Sequence, residues 1–355
     1  MKYSESTSSR LDRRETPKNP GVGQQIKARA HRIGFDLVGI TTAQSPQHSQ
    51  HLQEWLAKDF HGEMGYMARN TDKRVNPSGI LADARSIVVA GLNYYTGDHG
   101  RTGRVARYAW GTRDYHEVMS GKLEQLLGDI TEIGGPGTRC LGYVDTGPIL
   151  ERDLAQRAGI GFIGKHTNLI SRKLGNWVFL GEILTNLELP ADPPEREYCG
   201  TCQRCMDVCP TRAIVGPYQL DARLCISYLT IELKGSIPVE LRPLIGDHVF
   251  GCDDCLEVCP WNRFAQQSPV GQFQRRETPP LTEYLSWDEP KFREYFRGTP
   301  IFRIKRRGFL RNVCVVLGNI GDETALPALE RVCHDADAII AEHAAWAIEQ
   351  IQGRR

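Results

Sequence analysis

Apolar residues follow two different spacings in the first half of the chain. In segments 24–33 and 121–133 they recur at helical intervals, which predicts amphipathic helices. Short apolar runs that are rich in β-branched residues predict buried strands instead. These runs are 36–40, 86–92, 140–144 and 176–187. Helices and strands mixed in this way are typical of an α+β fold or an α/β sandwich.

The chain after Pro300 has helical spacing alone. The apolar positions are Leu310, Val313, Leu317 and Ile320, then Leu326, Leu329 and Val332, and finally Ile340, Ala344, Ile348 and Ile351. The first and last groups share part of their spacing, which indicates a weak internal repeat of helix pairs similar to HEAT repeats. We expect so short a repeat to depend on the rest of the protein for part of its core.

Two polar segments that contain prolines divide the chain. They cover 187–197 and 264–280. The predicted organisation is a disordered tail, a first domain, a cysteine-rich domain and a helical domain. Their ranges are 1–20, 21–190, 191–265 and 281–355.

Composition narrows the class of protein. Lys and Arg total 44 and Asp and Glu total 43, so the net charge of the chain indicates no particular partner. No apolar stretch approaches the roughly 20 residues that span a bilayer, and the N-terminus lacks the apolar core of a secretion signal. We therefore expect a cytoplasmic protein with no membrane contact. In a reducing compartment its eleven cysteines should bind metal more readily than form disulfides.

A run of four cysteines before a proline is the strongest motif. Cys199, Cys202, Cys205 and Cys209 have the spacing C-x2-C-x2-C-x3-C and precede Pro210, as in bacterial ferredoxins. In that motif three thiolates ligate one [4Fe–4S] cluster and the fourth ligates a second cluster. Structural zinc sites are the alternative, since they also use C-x2-C pairs, but they rarely have this run.

A second cysteine run completes the count of ligands. It repeats the last three positions of the first run, with Val249 where the first cysteine would stand, and Cys225 is the nearby cysteine that can replace it. The predicted ligands are Cys199, Cys202, Cys205 and Cys259 for one cluster, and Cys209, Cys225, Cys252 and Cys255 for the other. Two adjacent clusters would carry electrons one at a time to a redox partner. The isolated cysteines are expected to lie in the core; they are Cys140, Cys314 and Cys333.

The segment 143–152 is a strand that runs into a helix and carries a candidate acid. Asp145 stands where the strand ends, and Pro148 lies near the first helical turn. One interpretation is that Asp145 caps the helix. The other is that it donates a proton beside a reactive centre, provided that burial raises its pKa.

The segment 159–170 is rich in glycine, which lets a backbone approach a ligand closely. It also contains side chains that can donate hydrogen bonds, namely Lys165, His166, Thr167 and Asn168. The spacing G-x-G-x-x-G occurs here, but no acidic residue is convincingly placed about 20 positions later, so we do not favour a nicotinamide site.

Several motifs in one order resemble the epoxyqueuosine reductase family. They are HGEMGYMARN, DTGPILER, GIGFIGKHTNLI, the strand with GEIL, CGTCQRCMDVCP and GCDDCLEVCPWN. The resemblance covers the chain from about Gly21 to the C-terminus. It implies reduction of epoxyqueuosine in the anticodon loop of tRNA to queuosine, the last step of that modification.

The resemblance also implies a cofactor and its contacts. A nitroreductase-like α/β sandwich would bind cobalamin in its base-off form, next to the ferredoxin-like domain with two [4Fe–4S] clusters, as in the related reductive dehalogenases. The general acid of the family falls on Asp145. Cobalamin contacts are expected at Asp145, Gly164, Lys165, His166, Asn168, Ser227 and Tyr228.

A basic run opens the helical tail. Its cations are Arg303, Lys305, Arg306, Arg307 and Arg311. A solvated helix start is one interpretation of such a run. However, cations are unfavourable at a helix N-terminus, and a phosphate backbone would offset their repulsion. With a family that acts on tRNA, we predict that these residues contact the anticodon stem-loop.

Two other functions remain open at this point. A small-molecule reductase of the dehalogenase type would share the clusters and the corrinoid but would not need the basic tail. An electron-transfer or RNA-binding protein with structural clusters would need no corrinoid. For the lead interpretation we expect a monomer that receives electrons from an external low-potential donor.

Overall fold

Strands and helices alternate through residues 21–97 and 103–354, the part of the chain that the computed structural model describes. The strands are β1 (Leu37–Thr42), β2 (Ser86–Asn93), β3 (Arg104–Val105), β4 (Cys140–Tyr143), β5 (Phe162–Ile163), β6 (Leu169–Ile170), β7 (Val178–Thr185), β8 (Ile214–Gly216), β9 (Gln219–Leu220) and β10 (His248–Phe250). The helices are α1 (Val22–Ile33), α2 (Ser49–Ala57), α3 (Gly65–Ala68), α4 (Thr71–Val75), α5 (Tyr115–Gly134), α6 (Glu151–Arg157), α7 (Arg204–Asp207), α8 (Ile226–Ile231), α9 (Asp254–Glu257), α10 (Leu281–Tyr284), α11 (Glu289–Phe296), α12 (Lys305–Ile320), α13 (Leu326–Val332) and α14 (Ala338–Gly353). The helices and strands predicted for the first half are confirmed, although α5 begins earlier than its pattern indicated because Asp114 caps it.

The largest sheet of the described residues has the strand order β1-β2-β7-β4, and its neighbouring strands are antiparallel. Every residue of β2 is buried, as expected for a central strand that is covered on both faces. Helices α1 and α5 cover one face, and α6 packs on the other. The predicted mixed fold of helices and strands is therefore confirmed.

Each face of this sheet has its own apolar core. Ile26 of α1 and Leu126 of α5 pack with Ile183 of β7 on one face. Leu154 of α6 packs with Leu184 on the other. Since side chains alternate along a strand, Glu182 points from the middle of β7 toward the side of α6.

The cysteine-rich segment consists of short elements. α7 and α9 carry parts of the two cysteine runs, and β8 and β9 form a hairpin between them. β10 pairs in parallel with β3, with His248 opposite Arg104. This pairing joins the cysteine-rich segment to the first half of the chain.

The C-terminal helices share a core with the segment between the two cysteine runs. α12 packs closely on α14 at Gly318, where a Cβ atom would lie 2.5 Å from the Trp346 ring. Asn312 on α12 donates hydrogen bonds from Nδ2 to the carbonyls of Thr230 and Val249, at 2.8 and 2.9 Å. The predicted helices of the tail are confirmed, and so is their dependence on a neighbouring core.

Two further predictions concern the N-terminal tail and membrane-spanning helices. The disordered tail predicted for 1–20 lies outside the described residues. Within the described residues, each helix is too short or too polar to cross a bilayer.

Candidate active site and cluster ligands

Asp145 lies in the loop between β4 and α6. Its backbone has a left-handed conformation, with φ of 58°, which is uncommon for a residue with a side chain. Its N–H donates to Oε1 of Glu151 at 2.7 Å. The residue that precedes the helix as its N-cap is Leu150, so the interpretation of Asp145 as the cap is wrong.

The carboxylate of Asp145 is held by two aromatic neighbours on α5. Oδ2 accepts a hydrogen bond from the Tyr115 hydroxyl at 2.8 Å and lies 3.2 Å from Nε2 of His116. The Tyr115 ring stacks on Phe179, with ring centroids 4.3 Å apart, and His116 stacks on Tyr115. Packing therefore fixes the groups that orient the carboxylate, while 49% of the Asp145 side chain stays exposed.

The protonation states of Asp145 and His116 differ from the expectation that burial raises the pKa of Asp145. The hydrogen bond from His116 lowers the pKa of Asp145 and, together with Tyr115, outweighs the effect of burial. Burial disfavours the charged imidazole, but hydrogen bonds to Asp114 and Asp145 outweigh it and raise the pKa of His116 to about 9. The expectation that burial keeps Asp145 protonated is therefore wrong: at neutral pH the proton resides on His116.

Asp145 faces side chains from distant segments. Burial, followed by the charge of Glu232, raises the pKa of Tyr66 to about 12, and Arg303 and Asp145 act on the same hydroxyl. The partly buried Tyr108 is influenced by the same three charged residues. Asp145, Tyr66, Tyr108, Glu232 and Arg303 thus act on one another electrostatically, and we call the region that they share the acid cleft. It lies where the first half of the chain, the cysteine-rich segment and the C-terminal helices meet.

Sequence reasoning missed several residues of this site. Tyr115, His116 and Glu182 are far from Asp145 in the chain, and no motif drew attention to them. The one usable signal was Asp114, whose place before an apolar helical pattern indicates a helix start and so puts His116 in the first turn.

The first predicted set of cluster ligands comes together in space. Burial raises the pKa of Cys199 to about 11, and the thiol of Cys259 adds to this effect. Burial also raises the pKa of Cys205, followed by the neighbouring thiols of Cys202 and Cys259. Cys259 belongs to the second run, so folding brings it to the first.

The second predicted set forms another neighbourhood. Burial raises the pKa of Cys252, with contributions from Asp254, Cys255 and Cys225. Burial raises the pKa of Cys255 well above its usual value, and the thiols with the largest effect on it are those of Cys225 and Cys209. Cys225 therefore lies where the missing ligand of the second run is needed.

The donor chemistry of both sets suits iron–sulfur clusters. Each cysteine of the described chain is free of a disulfide. Backbone N–H groups point at ligand sulfurs, from Lys165 to Cys199 Sγ at 3.4 Å and from Ala213 to Cys209 Sγ at 3.3 Å. Such N–H···S bonds are typical around clusters, where they tune the potential. The segment 198–262 also matches the family model described as "4Fe-4S double cluster binding domain".

The loop 164–168 lies against the first cysteine run. Nζ of Lys165 donates to the carbonyls of Gly200 and Cys202, at 2.6 and 3.0 Å. His166 is 3% exposed, and burial lowers its pKa to about 4. The side chains of Lys165 and His166 are thus turned into the protein, and Nε2 of His166 has no hydrogen-bond partner among the described residues. Their contact with cobalamin stays a prediction.

The other predicted cobalamin contacts also have partners within the chain. Ser227 Oγ accepts from the N–H of Cys252 at 3.0 Å, and the Tyr228 hydroxyl accepts from the N–H of Glu63 at 2.8 Å. Gly164 closes its loop by donating from N–H to the carbonyl of Asn168 at 2.9 Å. Of the predicted contacts, Asp145 has the side chain that faces the acid cleft.

The basic run at the start of α12 is mostly neutralised within the chain. Arg303 pairs with Glu232, Arg306 with Asp335 and Arg307 with Asp337. Acidic residues of the protein thus neutralise these three arginines. From the sequence, we expected a phosphate backbone to do so. Lys305 is exposed, and no ion pair is seen for it within the described residues.

Arg311 lies in the core. It is 1% exposed, and its guanidinium donates to the carbonyls of Leu229, Leu233 and Gly235 at 2.7–2.8 Å. The prediction that Arg311 contacts RNA is therefore wrong. The side chain instead connects α12 to the segment between the cysteine runs.

Comparisons with known proteins agree with this geometry. Residues 74–146 match the family model "Epoxyqueuosine reductase QueG, DUF1730". The chain is 43% identical over 348 residues to an epoxyqueuosine reductase of Xanthomonas campestris pv. campestris, which covers 94% of this chain and 97% of that protein.

Two solved structures have the same fold over nearly the whole chain. One is an epoxyqueuosine reductase with a tRNA-Tyr stem loop modified with epoxyqueuosine. It is 32% identical to this chain, with a TM-score of 0.86, and the match covers 93% of this chain and 90% of that one. The other is the Bacillus subtilis enzyme with its catalytic aspartate loop swung out of the active site, 31% identical with a TM-score of 0.85 and the same coverage. From identity and coverage together, the chain belongs to the epoxyqueuosine reductase family.

Proposed function

We propose that this chain is an oxidoreductase that reduces the epoxide of epoxyqueuosine in the tRNA anticodon loop, giving queuosine. The observation that carries the proposal is the Asp145–His116 pair at the edge of the acid cleft, in a chain that also brings together two sets of cysteines. An acid with a stored proton next to an electron supply is what reductive removal of an oxygen atom requires. The family of the chain supports the same reaction.

The eight cysteines would hold two [4Fe–4S] clusters in the predicted sets. The first cluster takes Cys199, Cys202, Cys205 and Cys259, and the second takes Cys209, Cys225, Cys252 and Cys255. Cys205 acts electrostatically on Cys255, so the two sets adjoin. An external low-potential donor would feed electrons into this pair of clusters.

The acid cleft is the place for base-off cobalamin. Asp145 offers an exposed carboxylate there, the hydroxyls of Tyr66 and Tyr108 border it, and Ser227 lies next to the ligand loop of Cys252. When bound, a reduced corrinoid supplies a strong nucleophile or reductant that accepts electrons from the clusters. Gly164 and Asn168 would contribute through the backbone of their loop.

The residues of the chain supply the proton. Conversion of an epoxide to an alkene takes up two electrons and two protons and releases the oxygen as water. As the C–O bond breaks, negative charge develops on oxygen, and the proton that His116 holds at Nε2 passes through Oδ2 of Asp145 to neutralise it. His116 then takes up a second proton from solvent, which the same pair delivers for the release of water, and Tyr115 keeps the carboxylate oriented through both steps.

The loop that carries Asp145 is expected to move during the cycle. In the Bacillus subtilis relative the corresponding loop is swung out of the active site. In this chain the N–H of Asp145, a residue in the left-handed conformation, donates to the side chain of Glu151. Entry and exit of a bulky nucleotide would require that this contact can break.

The tRNA stem-loop would reach the cleft past the start of α12. Arg303 borders the acid cleft, Lys305 is exposed, and Arg306 and Arg307 are neighbours whose acidic partners could exchange for phosphate. Tyr66 is 40% exposed at the same border and offers a ring on which a displaced base can stack. A relative crystallised with a modified stem loop supports RNA as the partner.

We propose the same domain organisation that the sequence predicted. A nitroreductase-like sandwich covers 21–190, the two-cluster domain 191–265 and a HEAT-like helical domain 281–355, after a tail at 1–20. We expect a monomer in the cytoplasm. A small-molecule reductase of the dehalogenase type is less favoured, because the relatives that match nearly the full length are epoxyqueuosine reductases.

The test is turnover by the purified, anaerobically reconstituted chain. It is given a tRNA stem-loop that carries epoxyqueuosine and a low-potential chemical reductant, and the nucleoside product is identified by mass spectrometry. Queuosine, formed only when both iron and cobalamin are present, is the expected result. No product from a chain that carries clusters and cobalamin would refute the proposal.

A further inference from the structure

A buried carboxyl group stands beside the proposed acid without an evident role. Glu182 lies in the middle of β7, opposite Tyr143 of β4 and Val89 of β2, and is 0% exposed. Among the described residues, neither of its carboxyl oxygens has a hydrogen-bond donor. An ionised carboxylate in such a place would cost several kcal/mol, so Glu182 must carry a proton.

The neighbour of Glu182 is a second carboxyl group, that of Glu151. Burial raises the pKa of Glu182 well above its usual value, and the charge of Glu151 is the next cause. Burial also raises the pKa of Glu151, to about 7, with a contribution from Asp145. Two acceptors cannot bond to each other unless one is protonated, which explains why the oxygens of Glu182 lack a donor. One shared proton turns this contact into a hydrogen bond.

Glu151 connects the buried pair to the acid. It is the first residue of α6, and its Oε1 accepts the hydrogen bond from the N–H of Asp145 at 2.7 Å. Other charges around the pair are Arg152 on α6 and Arg74 on α4, both of which act electrostatically on Glu151. The three carboxyl groups are therefore successive neighbours from the sheet to the acid cleft, in the order Glu182, Glu151 and Asp145.

We propose that Glu182 holds one proton, donates it in a hydrogen bond to Glu151, and so keeps Glu151 in place to fix the Asp145 loop in the cleft. Glu182 is a positioning residue that acts on Asp145 through Glu151. The inference rests on the proposed function only in that Asp145 is the acid. The arrangement of the two glutamates can be tested without turnover.

The shared proton has a physical consequence for loop motion. With the shared proton in place, Glu151 is an anion stabilised by a donor, and Glu151 accepts a strong hydrogen bond from the Asp145 N–H. Without it, two adjacent anions would face a third, the Asp145 carboxylate, and repulsion would move Glu151 away. The loop would then lose the contact that holds its left-handed residue.

The test compares Glu182→Gln with Glu182→Leu in the holoenzyme. The amide of Gln donates to Glu151 without a titrating proton, whereas Leu fills similar space and donates nothing. We expect Glu182→Leu to lower kcat by about tenfold, with the KM for the tRNA stem-loop little changed, because a hydrogen bond to a charged group is lost. Glu182→Gln should retain clearly more of the turnover. Glu188→Gln changes an exposed glutamate and is the matched control.

Two measurements do not depend on turnover. Amide hydrogen exchange of segment 144–150 should speed up in Glu182→Leu but less in Glu182→Gln. The infrared C=O band of a protonated carboxylic acid should be present in the wild type and absent from Glu182→Gln. If the band is absent from the wild type, or if the Gln and Leu variants exchange alike, the inference is wrong. If these signals appear but the chain forms no queuosine, the inference stands and the proposed function fails.

Discussion

Nε2 of His116 lies 3.2 Å from Oδ2 of Asp145, while Nδ1 of the same ring lies 2.7 Å from Oδ1 of Asp114. An imidazole with a carboxylate at each nitrogen donates from both, so this arrangement stabilises the imidazolium form. The proton that reaches the substrate through Asp145 in the proposed reaction is therefore stored on a neighbouring ring in the first turn of α5.

Replacement of Asp145 by Asn should remove the carboxylate that relays the proton of His116 and leave the shape of the loop. We expect turnover to fall by about 10²–10⁴-fold. Iron, sulfide and cobalamin contents should stay at wild-type levels, since no predicted cluster ligand changes. Asp322→Asn is the control, because Asn serves equally well as a helix cap there. Near-normal turnover of Asp145→Asn would contradict the role of the acid.

His116→Gln should change how stability depends on pH. The pKa of His116 is raised from 6.5 to about 9 in the folded chain, so its contribution to stability is complete below pH 6.5 and is lost as the pH rises through about 9. The difference in Tm between wild type and His116→Gln should therefore be largest near pH 6 and shrink toward alkaline pH. His334→Gln, at an exposed position, should show no such trend. A difference in Tm that is independent of pH would exclude the ion pair.

Cys225→Ala should cost one cluster. If Cys225 completes the second set, iron should fall from about eight to about four atoms per chain, while the first cluster keeps its absorption. Cys333→Ala changes a cysteine outside both sets and should retain all iron. An unchanged iron content in Cys225→Ala would mean that the sets are divided differently.

Lys165→Met should weaken the first cluster without removing any ligand. The ammonium group joins the carbonyls of Gly200 and Cys202, so its loss loosens the loop that carries two thiolates. We expect faster bleaching in air and a shifted potential for one cluster, measured by absorbance and by electron paramagnetic resonance. Lys291→Met, on the exposed side of α11, is the control.

Lys305→Glu should weaken binding of the tRNA stem-loop. Removal of one phosphate contact is expected to lower the dependence of log K on log salt concentration by about one, and charge reversal adds repulsion. Arg331→Glu, an exposed cation on α13, is the matched control. Equal affinity of Lys305→Glu and wild type, across a range of salt concentrations, would place the RNA on another face.

The secondary structure and the cysteine motifs could be predicted from the order of residues because both depend on local spacing. Apolar periodicity predicted α1, β2 and β7 within a few residues, and each cysteine run places its thiols on one short loop. The division of the cysteines into two sets also came from loop spacing and stays a prediction. The motif around Asp145 drew attention to the right residue, although not to its protonation state.

Long-range contacts determined which side chains meet at the site, how exposed they are and which charge state they have. His116 meets Asp145 across 29 positions, Lys165 reaches Cys202 across 37, and Arg311 reaches Leu229 across 82. A residue's charge state and exposure depend on such neighbours, and no local pattern specifies which neighbours folding will supply. This is why Arg311 looked like part of an RNA surface but lies in the core, and why the pKa of Asp145 is lowered rather than raised.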